Sequence, residues 1–250
     1  MKHILIVGAN VGIGYYTVKQ LLEDGRRVSV LDINIENIDK LVADYKDTLL
    51  TIKADATDEK SLSEGVNKAI KHFGIPDVAI HNACICTFEG VLETPYETYE
   101  RVMNVNYYGA LRLAKIVLPH MREAKKGRII FSSSGVGVTG FGNISPYAST
   151  KGAIEALAKC LAVENDVHGI TVHIFQPPLT NTESSKELPV PKEFKANPEK
   201  VGRGLGKRVF KKSFVICHSL NQSLQMKLCY LSPLFMGKMM WKMTQRAKNS

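Results

Sequence analysis

Nowhere in this 250-residue chain do apolar residues run uninterrupted for the roughly 18 positions that a membrane-spanning helix needs. A bilayer-crossing helix is therefore excluded. The opening MKHILIV lacks the longer apolar stretch and small-residue cleavage site of a secretory signal, and it reads directly as a first strand, so a cytoplasmic protein is expected. Cysteine is scarce: the five, at 84, 86, 160, 217 and 229, are odd in number and irregularly spaced. That argues against a disulfide framework and for free thiols in a reducing compartment. His81 stands near Cys84 and Cys86, but the paired spacing of zinc ligands is missing, so no metal is expected. Acid is missing altogether from residues 200 to 250, which hold eleven Lys or Arg. Taking those from the 33 basic residues leaves 22 against 24 acidic ones, so residues 1 to 199 carry a net −2 and the overall +9 belongs to the C-terminal fifth.

What is present is an ordinary globular balance, 44% hydrophobic and 23% charged, in a chain of the right length for one α/β domain. The β-rich runs HILIV, RVSVL, LLTIK and DVAI are separated by helical stretches in the rhythm of βαβ units. RIIF at 128–131 and TVHIF at 171–175 continue that rhythm, and FVIC at 214–217 is a candidate edge strand. Long helices are expected over about 96–122 and 147–168. The pattern predicts a Rossmann-type, doubly wound parallel sheet in one domain, residues 1–218, with a basic helical C-terminal extension over 219–250. Five prolines, at 177, 178, 189, 191 and 198, break the rhythm over 177–200. A long loop with short helical pieces is expected there, as a lid over an active site or as a disordered insert.

The stretch VGANVGIG follows the first strand directly. Gly8, Gly12 and Gly14 permit a tight turn and close backbone approach, and a helix starting near Ile13 would offer its N-terminal amides and dipole to a pyrophosphate. Gly8, Asn10, Gly12, Ile13 and Gly14 are thus candidate cofactor contacts. Asp32 ends RVSVLD 18 residues after Gly14, where a carboxylate accepts hydrogen bonds from the adenosine ribose and repels a 2′-phosphate. With no Lys or Arg at Ile33, Asn34 or Val11, the charge favours NAD(H) over NADP(H). A helix-capping aspartate fits the position as well, without explaining the spacing.

Tyr147 and Lys151, in YASTK, stand 13 and 17 residues after Ser134. Tyr15 and Lys19 repeat the four-residue spacing but lack an upstream serine, so they read as packing or surface. With Asp55 in DAT, Asn82-Ala83 and Asn106 in NVNYYG in the same order, residues 3 to 182 resemble the short-chain dehydrogenase/reductase family. The resemblance implies Tyr147 as acid/base, Lys151 and Asn106 beside it, and Ser134 as the donor to the substrate oxygen. Asn106 would sit at a helix irregularity and hold a water linking Lys151 to solvent. Asp55 and Ala56 would meet adenine, Asn82 and Ala83 would line the cofactor cleft, and Pro177 and Thr182 would lie at the nicotinamide. The chemistry agrees: free tyrosine titrates near 10, so a cation must stabilise its anion, and positions four apart share a helix face. By the same resemblance, a homodimer or homotetramer is expected through the two long helices around strand five.

Four positions depart from the family pattern. Val7 replaces a threonine before the first glycine, and His81 and Cys84 bracket Asn82-Ala83 where the family has Asn and Gly. Pro178 replaces a glycine, removing a backbone donor and fixing φ, so the loop into the lid must take another path. The tail departs more. Ser232 and Pro233 read as the N-cap and first position of a helix on which Leu234, Phe235, Met239, Met240 and Met243 recur near helical spacing, with Lys238, Lys242 and Arg246 between them. This helix docks on the domain or a neighbouring subunit, or lies peripherally on an anionic membrane, or closes an apolar substrate pocket; nucleic acid is the weakest reading of its charge. The expected activity is NAD(H)-dependent interconversion of a secondary alcohol and a ketone, on an apolar substrate such as a steroid, lipid or long-chain ketone. The alternatives are a reductase of small carbonyl or 3-oxoacyl substrates, and a catalytically silent NAD(H)-binding sensor or docking module.

Overall fold

The computed structural model describes residues 1–186, 188 and 190–248, with side chains as far as Gln245. Glu187 and Pro189 of the expected lid, and Asn249 and Ser250 of the expected tail, lie outside the described residues. So do the side chains of Arg246 and Lys248.

Seven strands form one parallel sheet in the order β3-β2-β1-β4-β5-β6-β7. They are β1 (His3–Val7), β2 (Arg27–Asp32), β3 (Leu49–Lys53), β4 (Val78–His81), β5 (Gly127–Ser132), β6 (Ile170–Phe175) and β7 (Val215–Ile216). Each coincides with a β-rich run of the sequence, including the short edge strand. The reason is visible in β1, where every residue is buried. Successive side chains point to opposite faces, so Leu5 and Val7 enter one core while Ile4 and Ile6 enter the other. A sheet covered on both faces needs such continuous apolar strands.

The Leu5 face is covered by α2 (Glu59–Phe73), α4 (Gly109–Glu123) and α6 (Ser145–Asn165), through residues such as Val66, Leu113 and Ile154. The Ile4 face is covered by α1 (Gly12–Glu23) and α7 (Pro198–Gly206), through Val18, Leu21, Val201 and Leu205. The expected helix over 96–122 is α3 (Tyr96–Met103) running into α4 through a π-helical turn, Asn104–Tyr108. The short α5 (Val136–Thr139) follows β5.

The proline-rich loop ends earlier than expected. Its residues hold two 3-10 turns, Glu183–Ser185 and Lys192–Phe194, but α7 begins at Pro198. Asn197 caps that helix by accepting from the amides of Glu199 and Lys200, and Pro198 takes the first position, where its missing N–H costs nothing. The tail comprises α8 (Leu220–Leu231) and α9 (Pro233–Lys248). Met226, Cys229 and Met236 form a small core with Cys217 against Val138. Of the expected apolar face of α9, Leu234 and Phe235 point outward; the buried positions are Met236, Gly237 and Thr244.

Candidate active site

At the carboxyl ends of the strands lies a cavity of about 1720 Å³. Its walls include Gly8, Gly12, Ile13, Asp32, Asp55, Ala56, Asn82, Ala83, Ser134, Tyr147, Lys151, Pro177 and Thr182, so thirteen of the sixteen candidate residues meet there. Asn10, Gly14 and Asn106 stand behind the wall. This is the crevice where open α/β sheets bind ligands.

The glycine turn is built for backbone proximity. Gly8 has φ +84°, and a Cβ on it would lie 2.3 Å from the backbone of Ala83. A Cβ on Gly14 would lie 2.6 Å from the Gly8 carbonyl oxygen. Gly12, at φ +62°, would meet the Thr182 methyl at 3.2 Å, which puts Thr182 over the turn. Asn10 holds the neighbouring chain: its Oδ1 accepts from the amides of Asn37 and Ile38, and its own amide donates to Asp32 Oδ2 at 2.9 Å. The other Asp32 oxygen accepts from the Asn34 amide at 3.1 Å.

Helix α1 starts with Val11 at its N-cap, with no side-chain cap and no acid in the first turn. Its leading amides therefore face the cavity without an internal side-chain partner, which fits the pyrophosphate of a dinucleotide. At the next strand ends, Asn82 donates to the Gly8 carbonyl at 2.5 Å and accepts from Ser132 at 2.9 Å, fastening β1, β4 and β5 together. Asp55 Oδ1 accepts from both the amide and the hydroxyl of Thr57 at 2.8 Å, so it shapes the strand end as well as the cavity wall.

Tyr147 and Lys151 project from the first turns of α6. Lys151 is 2% exposed; its ammonium donates to the Ser132 carbonyl at 2.7 Å and stands 5.2 Å from the centre of the Tyr147 ring. Two of its N–H groups have no protein acceptor among the described residues, and they suit the hydroxyls of a ribose. Burial pulls the Lys151 pKa below its ordinary value. Burial also raises Tyr147 well above the usual phenol value, reinforced by Cys84 and Cys86 and opposed by the neighbouring Ser134 hydroxyl. The phenol is therefore a neutral proton donor, and the hydroxyls of Ser134 and Tyr147 converge.

Asn106, fully buried in the π-helical turn, donates to the Ile85 carbonyl and to Thr150 Oγ1 at 3.0 Å and accepts from the Ile85 amide at 2.9 Å. Thr150 in turn donates to the Tyr147 carbonyl at 2.7 Å. The wider turn thus braces the loop after β4 against the start of α6. Tyr15 packs at the edge of the core on the Ile4 face and takes no part in the cavity.

Two features escaped the sequence reading. Glu155, one turn beyond Lys151, accepts from Ser133 at 3.0 Å, from Gln176 at 2.6 Å and, on its other oxygen, from Tyr230 at 2.9 Å. A glutamate on the same helix face as Tyr147 and Lys151 was the available signal, but its partners come from three other segments. In the proline-rich loop, the buried ammonium of Lys195 donates to the Ser185 and Leu188 carbonyls at 2.6 and 3.4 Å.

The short chain dehydrogenase family model matches residues 2–192. The chain belongs to that family. It is 31% identical over 185 residues to 2-(R)-hydroxypropyl-CoM dehydrogenase of Xanthobacter autotrophicus, covering 71% of this chain and 74% of that one. It is also 31% identical to the 3-oxoacyl-acyl-carrier-protein reductase FabG of Thermotoga maritima, over 75% and 78% of the two chains. A short-chain dehydrogenase from Streptomyces avermitilis superposes with a TM-score of 0.81 at 22% identity, covering 99% of this chain and 98% of that one, so the tail shares its fold. Solved family structures hold both cofactors. NAD+-bound xylitol dehydrogenase has a TM-score of 0.69 at 30% identity, over 72% and 71% of the chains. ElxO with NADP bound has 0.76 at 27%, over 87% and 94%. As a family member, the chain is an oxidoreductase of alcohol and carbonyl groups with a nucleotide-binding Rossmann fold.

Proposed function

We propose that this chain interconverts a secondary alcohol and a ketone with NAD(H), acting on an apolar substrate. The observation that carries the reading is the meeting of Ser134, Tyr147 and Lys151 on one wall of a cavity whose other walls are the glycine turn and an apolar tail. When bound, the nicotinamide supplies the hydride chemistry. The residues that would hold it are Gly8, Gly12, Ile13 and the α1 amides for the phosphates, Asp32 for the adenosine ribose, Asp55 and Ala56 for adenine, and Asn82, Ala83, Pro177, Thr182 and Lys151 toward the nicotinamide end. Asn10 and Gly14 shape that cradle from behind.

Tyr147 moves the proton. In reduction, its neutral phenol delivers the proton to the substrate oxygen while Ser134 donates a hydrogen bond to the developing charge. In oxidation, the Tyr147 phenolate, favoured by the fixed Lys151 ammonium, takes the hydroxyl proton and becomes the neutral phenol. Asn106 keeps the start of α6 in register and, by resemblance, holds the water through which Lys151 exchanges protons with solvent.

The preference for NAD(H) rests on Asp32, whose carboxylate is held at the adenosine end by Asn10 and Asn34 and repels a 2′-phosphate. The preference for an apolar substrate rests on size and lining. The cavity exceeds the roughly 300–1,000 Å³ of a single ligand site, and Phe141, Ile144, Met226, Met240 and Met243 add apolar lining to it. A 3-oxoacyl thioester is the second reading, favoured by similarity to the Thermotoga reductase and by an acyl chain's fit to the same wall. We also propose a homodimer or homotetramer through α4 and α6, which sedimentation would test.

Tyr147→Phe decides between an enzyme and a silent NAD(H) sensor. Turnover of long-chain ketones should fall about a thousandfold, with NADH binding by fluorescence titration unchanged. Turnover that survives the substitution would remove the mechanism, and wild-type activity confined to short diols would remove the apolar substrate.

A further inference from the structure

Helix α8 is apolar on two opposite sides. Its inward side buries Gln222, Met226 and Cys229, as a docked helix should. Its outward side carries Leu220, Leu224, Leu228 and Leu231, which are 72, 64, 50 and 79% exposed. The stripe continues on α9 through Leu234 and Phe235, at 72 and 68%. Single exposed leucines are common on protein surfaces, but six large exposed apolar side chains within residues 220–235 mark an interaction site.

The charge around the stripe selects the partner. Lys227 lies one turn from Leu224 and Leu231; Lys238 and Lys242 are exposed on the outward side of α9 with Phe235. No acidic residue occurs anywhere from 200 to 250. A second copy docked face to face would set these lysines against their own images. An anionic lipid surface answers both features, taking the leucines into the acyl boundary and pairing the lysines with headgroups.

We propose that the outward face of α8 and α9 docks the protein on an anionic lipid surface. No described helix is long and apolar enough to cross a membrane, so the contact is peripheral. Met239 and Met243, 39 and 54% exposed, line the cavity from α9 beside this face. Docking therefore brings the cavity mouth to the bilayer and delivers an apolar substrate from it; this delivery rests on the apolar-substrate reading above.

The test is flotation of the full chain with phosphatidylcholine vesicles, with and without about one third phosphatidylglycerol. The wild type should float only with the anionic vesicles. The variant Leu224→Ser/Leu228→Ser/Leu231→Ser should bind at least about tenfold more weakly, and Lys227→Gln/Lys238→Gln/Lys242→Gln should lose about fivefold per lysine removed. Both variants should keep wild-type melting and wild-type turnover of a water-soluble ketone. Absence of flotation, or equal flotation of all three proteins, would overturn the proposal. So would wild-type self-association that the leucine variant abolishes, since the face would then belong to a second copy. Vesicle binding is measured without substrate, so it fails or succeeds independently of the redox reading.

Discussion

His81 ends β4 with its Nε2 buried and unpartnered among the described residues, 2.7 Å from where a Cβ on Gly109 would stand. Burial first, and then the charge of Lys151, pull its pKa down to about 3. The unfolded chain binds a proton near pH 6.5 that the folded chain refuses, so stability is full above 6.5 and falls as the pH drops toward 3. At pH 5 the loss from His81 is about 2 kcal/mol. His3 and His173, also lowered by burial, add to the same slope. His81→Asn should flatten the fall in melting temperature between pH 6.5 and 5; an unchanged slope would mean that another group carries it. The residues legible in the sequence are those whose demands are local. Gly8 and Gly14 are required by atoms of the adjoining turn and strand ends, and Lys151 by a tyrosine one turn away. Asn10 was legible as a member of the turn, but its task of holding Asn37 and Ile38 arises only when two distant segments meet.

Between elements, the tie from α8 to α6 carries the clearest consequence. Tyr230 donates to Glu155 and accepts from Gln176 at 3.0 Å, and both burial and the Glu155 charge hold its pKa above the ordinary phenol value. Tyr230→Phe leaves one Glu155 oxygen without its donor. The tyrosine is 39% exposed, so water replaces part of the loss. A cost of about 1–2 kcal/mol follows, read as a fall in melting temperature of about 3–6 °C. Cofactor affinity should change less than twofold, because the phosphate-binding turn and Asp32 lie elsewhere. The strands were legible because their apolar runs have period and punctuation that no other segment imitates. Helix α7 was hidden among the prolines of the lid, although Asn197-Pro198 is the pairing of cap and first position that starts a helix. The π-helical turn was legible only through the resemblance, since NVNYYG has nothing in its composition that calls for a wider turn.

Across the whole molecule, the docked side of the tail supplies one wall of the cavity. The sequence showed a basic segment with apolar positions at helical spacing; it did not show which apolar positions faced the domain, because both sides of α8 and α9 carry them. Packing resolves this through Trp241, the only tryptophan in the chain. Its ring lies edge-on to Phe141, with centroids 5.3 Å apart, and a Cβ on Gly142 would come within 2.6 Å of it. Only glycine leaves room there, so Gly142→Val must push Trp241 and α9 away from the cavity. Trp241 reports its own displacement. The wild type should show the blue-shifted emission of a partly buried indole, and Gly142→Val should shift it to the red. The same variant should raise KM for a long-chain ketone about tenfold, since the loss of two or three apolar wall contacts costs about 1–2 kcal/mol, while kcat/KM for a small ketone holds. An unshifted emission would mean that the valine is absorbed elsewhere. A red shift with KM unchanged for the long-chain ketone would show that α9 closes the cavity without gripping what lies inside it.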